Sequence, residues 1–194
     1  VKLYHKTKPN EQIRYVDVCS LYPFVNKYGK YPVGHPTIIT ENFENVTTNN
    51  QPYEGLMKIK ILPPKRLLHP VLPYRSGGKL MFPLCRKCVE TEQTTKCKHN
   101  DDERVLTWTW LTLEIYKALE LGYKILDIYE VWHFDTMEQY EPDNNPDGGL
   151  FTWYINAFMK MKLEAEGWPA KCVDDNAKQA YLDEVYCREK IKLD

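Results

Sequence analysis

The chain has 194 residues, enough for one domain with a real core or for a piece of a larger one. Its 26 basic residues balance 27 acidic ones, a formal charge of −1, which argues against binding nucleic acid through bulk positive charge and leaves room only for a local basic surface. No opening segment has the order of a signal peptide and no apolar run approaches the roughly 18 residues of a membrane span, so the expectation is a soluble intracellular chain with no membrane partner.

The first buried-type segment is residues 13–19, Ile-Arg-Tyr-Val-Asp-Val-Cys, read as a strand with Asp17 near its end. A carboxylate buried there must be paired, protonated or bound to a metal. Pro23 is placed to start a short helix directly afterwards. Residues 30–78 hold most of the 13 prolines, which disfavours helix and leaves short strands such as Gly55–Leu62, with a turn at Gly77-Gly78. A cysteine-bearing loop occupies 84–104. Leu111, Ile115, Ala118 and Leu119 then recur at a period near 3.6 and predict a helix, with Thr112 as N-cap, Glu114 in its first turn and Gly122 just past its end. Residues 123–134, β-branched and aromatic on both faces, predict a central strand covered on both sides. The turn-rich run 141–149 launches a second helix bearing Phe151, Ile155 and Phe158 on one stripe and ended by Gly167 and Pro169. A third helix is expected over about 176–190, with Ala177, Ala180, Tyr181 and Val185 inward. Both ends of the chain read as cut from something larger.

Three places carry chemistry. Asp17 is either a structural carboxylate satisfied by backbone donors or a metal ligand. The amides that follow it can form a concave anion site facing a helix start. A carboxylate that holds Mg²⁺ beside amides that hold phosphates describes a nucleoside triphosphate site, with the ring of Tyr22 where the sugar lies. Lys162 stands 11 positions after Phe151, about 20° from it on a helix, so it either snorkels off an apolar stripe or meets an anion, while Lys160 points the other way. Six cysteines are too sparse for a disulfide scaffold, yet three lie within 13 positions beside a histidine. Cys85 and Cys88 have the gap that places two thiolates on one metal, and Cys97 and His99 can complete a tetrahedral Zn²⁺ site; the other reading is a mobile polar loop with reduced thiols. Such a zinc is structural, because four protein ligands leave no position open. Cys19, Cys172 and Cys187 read as small hydrophobes or inert thiols. Neutral structural roles are assigned to His5, His35, His69 and His133.

The run Asp17-Val18-Cys19-Ser20-Leu21-Tyr22-Pro23 resembles the first palm motif of family B DNA polymerases, Asp-x-x-Ser-Leu-Tyr-Pro, and more closely that of the protein-primed branch found in some bacteriophages and in Maverick/Polinton transposons. The likeness continues through Tyr28-Gly29-Lys30-Tyr31-Pro32-Val33-Gly34, Leu62-Pro63-Pro64, His69-Pro70-Val71-Leu72-Pro73-Tyr74-Arg75, Phe82-Pro83-Leu84-Cys85 and Tyr129-Glu130-Val131-Trp132-His133-Phe134. It spans nearly the whole chain. It implies an α+β fold: a partial polymerase palm, antiparallel or mixed sheet with packed helices, at 1–30 and 111–140, an insertion at 31–110 carrying the zinc loop, and fingers-like helices from 150 to 194. It further implies that Asp17 binds the catalytic Mg²⁺ ions, which activate the primer 3′ oxygen and stabilise leaving pyrophosphate. By the same likeness, amides around Ser20 and Leu21 cradle the triphosphate, Tyr22 excludes a 2′-hydroxyl, and Lys162 meets the phosphates of the incoming dNTP. The implied partners are DNA, a dNTP and a protein partner at the insertion, in a nuclear location.

Parts of the family pattern are absent from these residues: the second carboxylate motif, Tyr-x-Asp-Thr-Asp-Ser, and the fingers motif, Lys-x-x-x-Asn-Ser-x-Tyr-Gly. The expectation is therefore a polymerase fragment that supplies one metal-binding carboxylate and is not competent alone. The alternative is a domesticated transposon remnant acting as a non-catalytic, zinc-braced DNA- or protein-binding module. One departure falls at Trp108, where the resemblance leads one to expect glycine and where a positive φ would strain tryptophan.

Overall fold

The computed structural model describes residues 6–18, 20–142 and 148–194. In chain order these form α1 (Leu21–Tyr28), β1 (Tyr31–Pro32), β2 (Thr37–Ile39), β3 (Gly55–Leu62), β4 (Tyr74–Ser76), β5 (Lys79–Met81), α2 (Arg86–Glu90) and α3 (Asp101–Arg104). They continue with β6 (Leu106–Leu111), α4 (Thr112–Glu120), β7 (Lys124–His133), β8 (Met137–Glu138), α5 (Thr152–Glu166) and α6 (Asp175–Glu189). The chain is mixed α+β with antiparallel sheets, as the family resemblance implies. One compact unit contains α1, α5 and α6, and the other is residues 32–138. No described helix is long and apolar enough to cross a membrane.

The second unit is organised by a four-stranded sheet in the order β2-β7-β3-β6. β3 alternates as a half-buried strand must: Met57, Ile59 and Ile61 are fully buried, while Lys58 between them is exposed. β6 answers with Leu106 and Trp110 on the same face, and the Trp110 indole N–H donates to the Pro73 carbonyl at 2.7 Å. β7 is harder to read, because Ile125, Ile128 and Val131 are three apart and would alternate faces in a regular strand. Two bulges remove the conflict. Lys58 faces Glu130 but Ile59 faces Ile128, and Lys60 faces Asp127 but Ile61 faces Ile125, so Tyr129 and Leu126 are each an extra residue. All three apolar residues then pack on the core.

The other face of the sheet is open, which corrects the expectation of a strand covered on both sides. β7 lies between β2 and β3, but Leu126, Tyr129 and Trp132 are exposed. Trp108 sits within β6 opposite Ile59 and has no positive φ, so the expected strain is absent. The Gly77-Gly78 turn does join β4 to β5, with φ of 55° and 75°, the positive pair that a tight hairpin turn needs.

α4 closes the core with Ile115 and Ala118. Its cap differs from the expected one. Glu114 reaches back to the Leu111 amide at 3.1 Å, making Leu111 the half-exposed N-cap residue and Thr112 the first helical one. The Thr112 hydroxyl is occupied elsewhere, accepting from the Gly55 amide at 3.1 Å where β3 begins. Gly122 ends the helix at φ 87°, with the Tyr123 amide donating back to the Ala118 carbonyl, the bond pattern that a left-handed glycine permits.

In the first unit, residues 13–18 form no strand, and Ile13, Tyr15, Val16 and Val18 are exposed. A strand requires a hydrogen-bonding neighbour, and among the described residues none pairs with this run. The expected buried strand is therefore corrected to an extended exposed segment. Cys19, His5 and most of the turn-rich run 141–149 lie outside the described residues. α5 ends at Gly167, φ 70°, and α6 begins where the Asp174 side chain accepts from the Ala177 amide at 2.8 Å. Val185 is buried on α6 as expected, whereas Ala180 is exposed.

The Tyr116 hydroxyl donates to the Tyr53 carbonyl and accepts from the Tyr53 amide, at 2.5 and 3.0 Å, inside the core. Tyr116→Phe leaves both backbone groups unpaired and is expected to cost about 1–3 kcal/mol in urea unfolding. Leu111→Thr, on the exposed side of the same junction, is expected to change stability by less than about 0.5 kcal/mol.

Candidate functional site

α1 opens directly after the motif carboxylate. Ser20 takes a left-handed backbone, φ 57°, and its carbonyl accepts the first helical bond, from the Phe24 amide at 3.0 Å. Pro23 falls in the first turn, where its missing N–H has no helical partner to lose. The amides of Leu21 and Tyr22 precede that first bond, and the turn from left-handed to helical backbone directs successive N–H groups to one side. Asp17 is exposed, and no ion pair or hydrogen bond engages its carboxylate among the described residues. Tyr22 is 84% exposed. Because Asp17 is not buried, the desolvation argument for a bound metal does not apply to it.

Ser20 and Lys162 line one cavity of about 390 Å³ between α1 and α5, together with Pro23, Phe24, Tyr154 and Phe158. Asp17, Leu21 and Tyr22 are not among its lining residues. Lys162 thus shares the side of α5 that carries Ile155 and Phe158, as helical spacing predicts, and its ammonium stands 3.8 Å from Glu166. Lys160 points elsewhere, to Glu164 and Asp194.

A second cation at this cavity escaped the sequence reading. Lys27 on α1 pairs with Glu189 on α6, both nearly buried, with the Lys27 ammonium also 5.1 Å from the Tyr140 ring centre. Burial pulls the Glu189 carboxyl upward, but hydrogen bonds from Lys27 and Arg188 outweigh it and hold the group below the ordinary glutamate value. Nothing in local spacing signals a pair 162 positions apart.

The Cys/His loop is assembled more completely. Cys85 caps α2, its sulfur accepting from the Cys88 amide at 3.4 Å, which is what a two-residue gap between thiolates allows. Asn100 and Glu103 cap α3 reciprocally and set the direction in which the chain leaves His99. The Sγ atoms of Cys85, Cys88 and Cys97 lie 3.4, 3.3 and 3.5 Å from His99 Nδ1, and all four ligand atoms lie within 4.8 Å of one another. A tetrahedral zinc with bonds of about 2.3 Å to sulfur and 2.0–2.1 Å to nitrogen separates such ligands by about 3.5 Å. The donor set therefore fits the ion. Burial, then its thiol neighbours, push Cys88 up to about 12, while the His99 amide, helped by the other thiols, holds Cys97 at about 7. Three thiolates this close repel one another, and a divalent cation removes the conflict.

Arg104 was also missed. It is 4% exposed and bonds the carbonyls of Pro63, Pro64 and Leu84 at 2.7, 2.8 and 3.4 Å, with Asp101 at 3.0 Å. Adjacent prolines offered the one sequence hint, since neither can donate to a ladder and both carbonyls there need partners from elsewhere. His133, assigned a structural role from sequence, accepts from the Glu54 amide at its Nδ1, at 3.0 Å, and stands 3.5 Å from Asp135.

Among protein families, that described as DNA polymerase type B, organellar and viral, matches residues 1–178. No curated protein and no solved structure gives a match.

The Lys27–Glu189 pair sets a pH dependence. A carboxyl held below its ordinary value of 4.5 contributes stability that is present above that value and is lost as pH falls through the lowered one. Glu189→Gln is expected to melt about 1–3 °C below the unsubstituted chain at neutral pH, with the gap closing as the pH falls below the ordinary glutamate value, as followed by calorimetry.

Proposed function

This chain belongs to the organellar and viral type B DNA polymerases, and we propose that it supplies one half of a Mg²⁺-dependent nucleotidyl-transfer centre, in the protein-primed, Maverick/Polinton-like branch of that family and in a nuclear location. The observation that carries this reading is the single cavity that brings Ser20, at the start of the motif helix, together with Lys162. In this reading Asp17 holds Mg²⁺. Its exposed carboxylate has no competing partner among the described residues, and Mg²⁺ is commonly held by one or two carboxylates with waters and substrate phosphates. The ion, when bound, supplies charge neutralisation at the primer oxygen and the departing pyrophosphate. The protein's share is positioning: amides at Ser20 and Leu21 receive the triphosphate, Lys162 pairs with its charge, and Tyr22 lies against the sugar, where a 2′-hydroxyl would collide.

One carboxylate does not make a two-metal centre, so the 194 residues by themselves bind nucleotide without polymerising it. Zn²⁺ at Cys85, Cys88, Cys97 and His99 is structural, and the surrounding insertion is where a protein partner docks.

A second reading has an observation of its own. The Cys/His ligand set is complete within one short loop, whereas among the described residues Asp17 joins no such cluster. That favours a transposon-derived remnant that keeps a zinc-braced binding module and has lost catalysis.

Calorimetric titration with dATP separates the two. The polymerase reading expects Mg²⁺-dependent binding that Asp17→Ala abolishes, that Lys162→Ala weakens about 10- to 100-fold, and that loses its preference over ATP in Tyr22→Ala. Absence of any Mg²⁺-dependent nucleotide binding overturns it and leaves the remnant. Both readings expect about one zinc per chain in protein purified without chelator, lost in Cys88→Ser together with thermal stability.

A further inference from the structure

The open face of the four-stranded sheet carries an ordered pattern of side chains. Ile38 pairs with Trp132, Trp132 with Leu56 and Leu56 with Leu111, so one apolar row crosses all four strands, over about 14 Å. Ile38, Leu111 and Trp132 are exposed. The next row along fixes which face this is, since Ile39, Val131, Met57 and Trp110 pair in the same order and pack on the core.

Two charged rows follow along the strands. Lys58 on β3 lies beside Glu130 on β7, and Lys60 lies beside Asp127, while β6 contributes Thr109 and Thr107 at the same levels. Among the described residues neither lysine forms an ion pair, and Glu130 accepts instead from the Trp132 indole N–H. Lysines thus run along β3 and carboxylates along its neighbour β7. Leu126 and Tyr129, the two bulge residues, add exposed apolar surface.

We propose that this face is a docking surface for a second copy of the chain, in a dimer with two-fold symmetry. A dyad parallel to the strands and midway between β3 and β7 turns the face onto itself, with β3 over β7 of the second copy, at the separation of about 10 Å and the near-aligned strand directions of packed sheets. Each row keeps its level. The apolar row then lies on the apolar row, Trp132 on Leu56 and Ile38 on Leu111, while Lys58 meets Glu130 and Lys60 meets Asp127 of the second copy. An isologous interface needs such self-complementarity. A different protein would have to carry the same alternation of charge, and a polyanion would meet a carboxylate beside each lysine. The proposal is independent of the nucleotide roles of Asp17 and Lys162 and of zinc at the Cys/His loop.

The test is sedimentation equilibrium of the 194-residue chain. The mass is expected to rise with concentration from 23.0 kDa toward twice that, with a dissociation constant of about 1–100 μM. Trp132→Ala is expected to raise that constant at least about 10-fold with circular dichroism unchanged. Lys58→Glu with Lys60→Glu, and separately Asp127→Lys with Glu130→Lys, each place like charges across the dyad and are expected to raise it about 100-fold. An equimolar mixture of these two variants pairs opposite charges again and is expected to form dimers that neither forms alone. The chain carrying all four reversals is expected to dimerise like the unsubstituted one. A monomer at every concentration overturns the proposal and leaves the face to a different protein. So does a dimer that Trp132→Ala or either charge reversal fails to weaken, or charge-reversed variants that stay monomeric both when mixed and when combined in one chain. Dimerisation without Mg²⁺-dependent nucleotide binding counts against the polymerase reading alone.

Discussion

A buried guanidinium holds the second unit together where its sheet meets its Cys/His loop. Arg104 satisfies the carbonyls of Pro63 and Pro64, just past the end of β3, and reaches that of Leu84, immediately before the first ligand Cys85. Arg104 itself closes α3, five residues beyond the last ligand, His99. One side chain thus pins the entry of the loop, its exit and the edge of the core. The charge tolerates burial because Asp101 takes one face of the fork and three carbonyls take the other. Removing such a group leaves several acceptors dry, which is more damaging than the pair is stabilising. Arg86 adds a second tie, from its Nε to the Val105 carbonyl at 3.2 Å. The ligand atoms can therefore converge to within 4.8 Å because the backbone around them is already constrained on both sides.

The features legible in the sequence were those whose cause is local. β3 announced itself by alternation, the hairpin by paired glycines, and α4 and α5 by their period and by the glycines that end them. The Cys/His set was legible for the same reason, since its four ligands span 15 residues. What misled was non-local. The run 13–18 has the composition of a strand, but strand formation depends on a partner, and composition says nothing about whether one is present. β7 presented apolar residues at a spacing of three, which looks like two covered faces until its pairing with β3 reveals the bulges. Thr112 has the chemistry of a cap, yet its hydroxyl serves a strand 57 positions away. Arg104 is invisible for the same reason, because its partners lie some 20 and 40 positions back.

The two candidate sites differ in the same way, and that difference has a physical origin. Closing a 15-residue loop on a metal requires little ordering beyond what Arg104, Arg86 and the α3 cap already impose, since loop-closure entropy grows only slowly with length. A complete four-ligand centre can therefore form from a short stretch of chain. A nucleotide site built on Asp17 has no such shortcut. The residues proposed for it are far apart in sequence, with Lys162 on α5 and Lys27 and the Leu21 and Tyr22 amides on α1, and the ion pair that joins α1 to α6 spans 162 positions. Among the described residues, the unit that contains Asp17 buries the side chains of Thr152, Ile155, Cys172, Val185 and Ile191, against a cluster of thirteen buried residues in the other unit. Exposed apolar side chains at Tyr15, Val16, Tyr22 and Phe24 mark surface that gains from being covered, by substrate or by protein. Among the described residues, the four Cys/His ligand atoms converge beside a well-packed core, whereas Asp17, Ser20, Leu21, Tyr22 and Lys162 all lie on exposed surface.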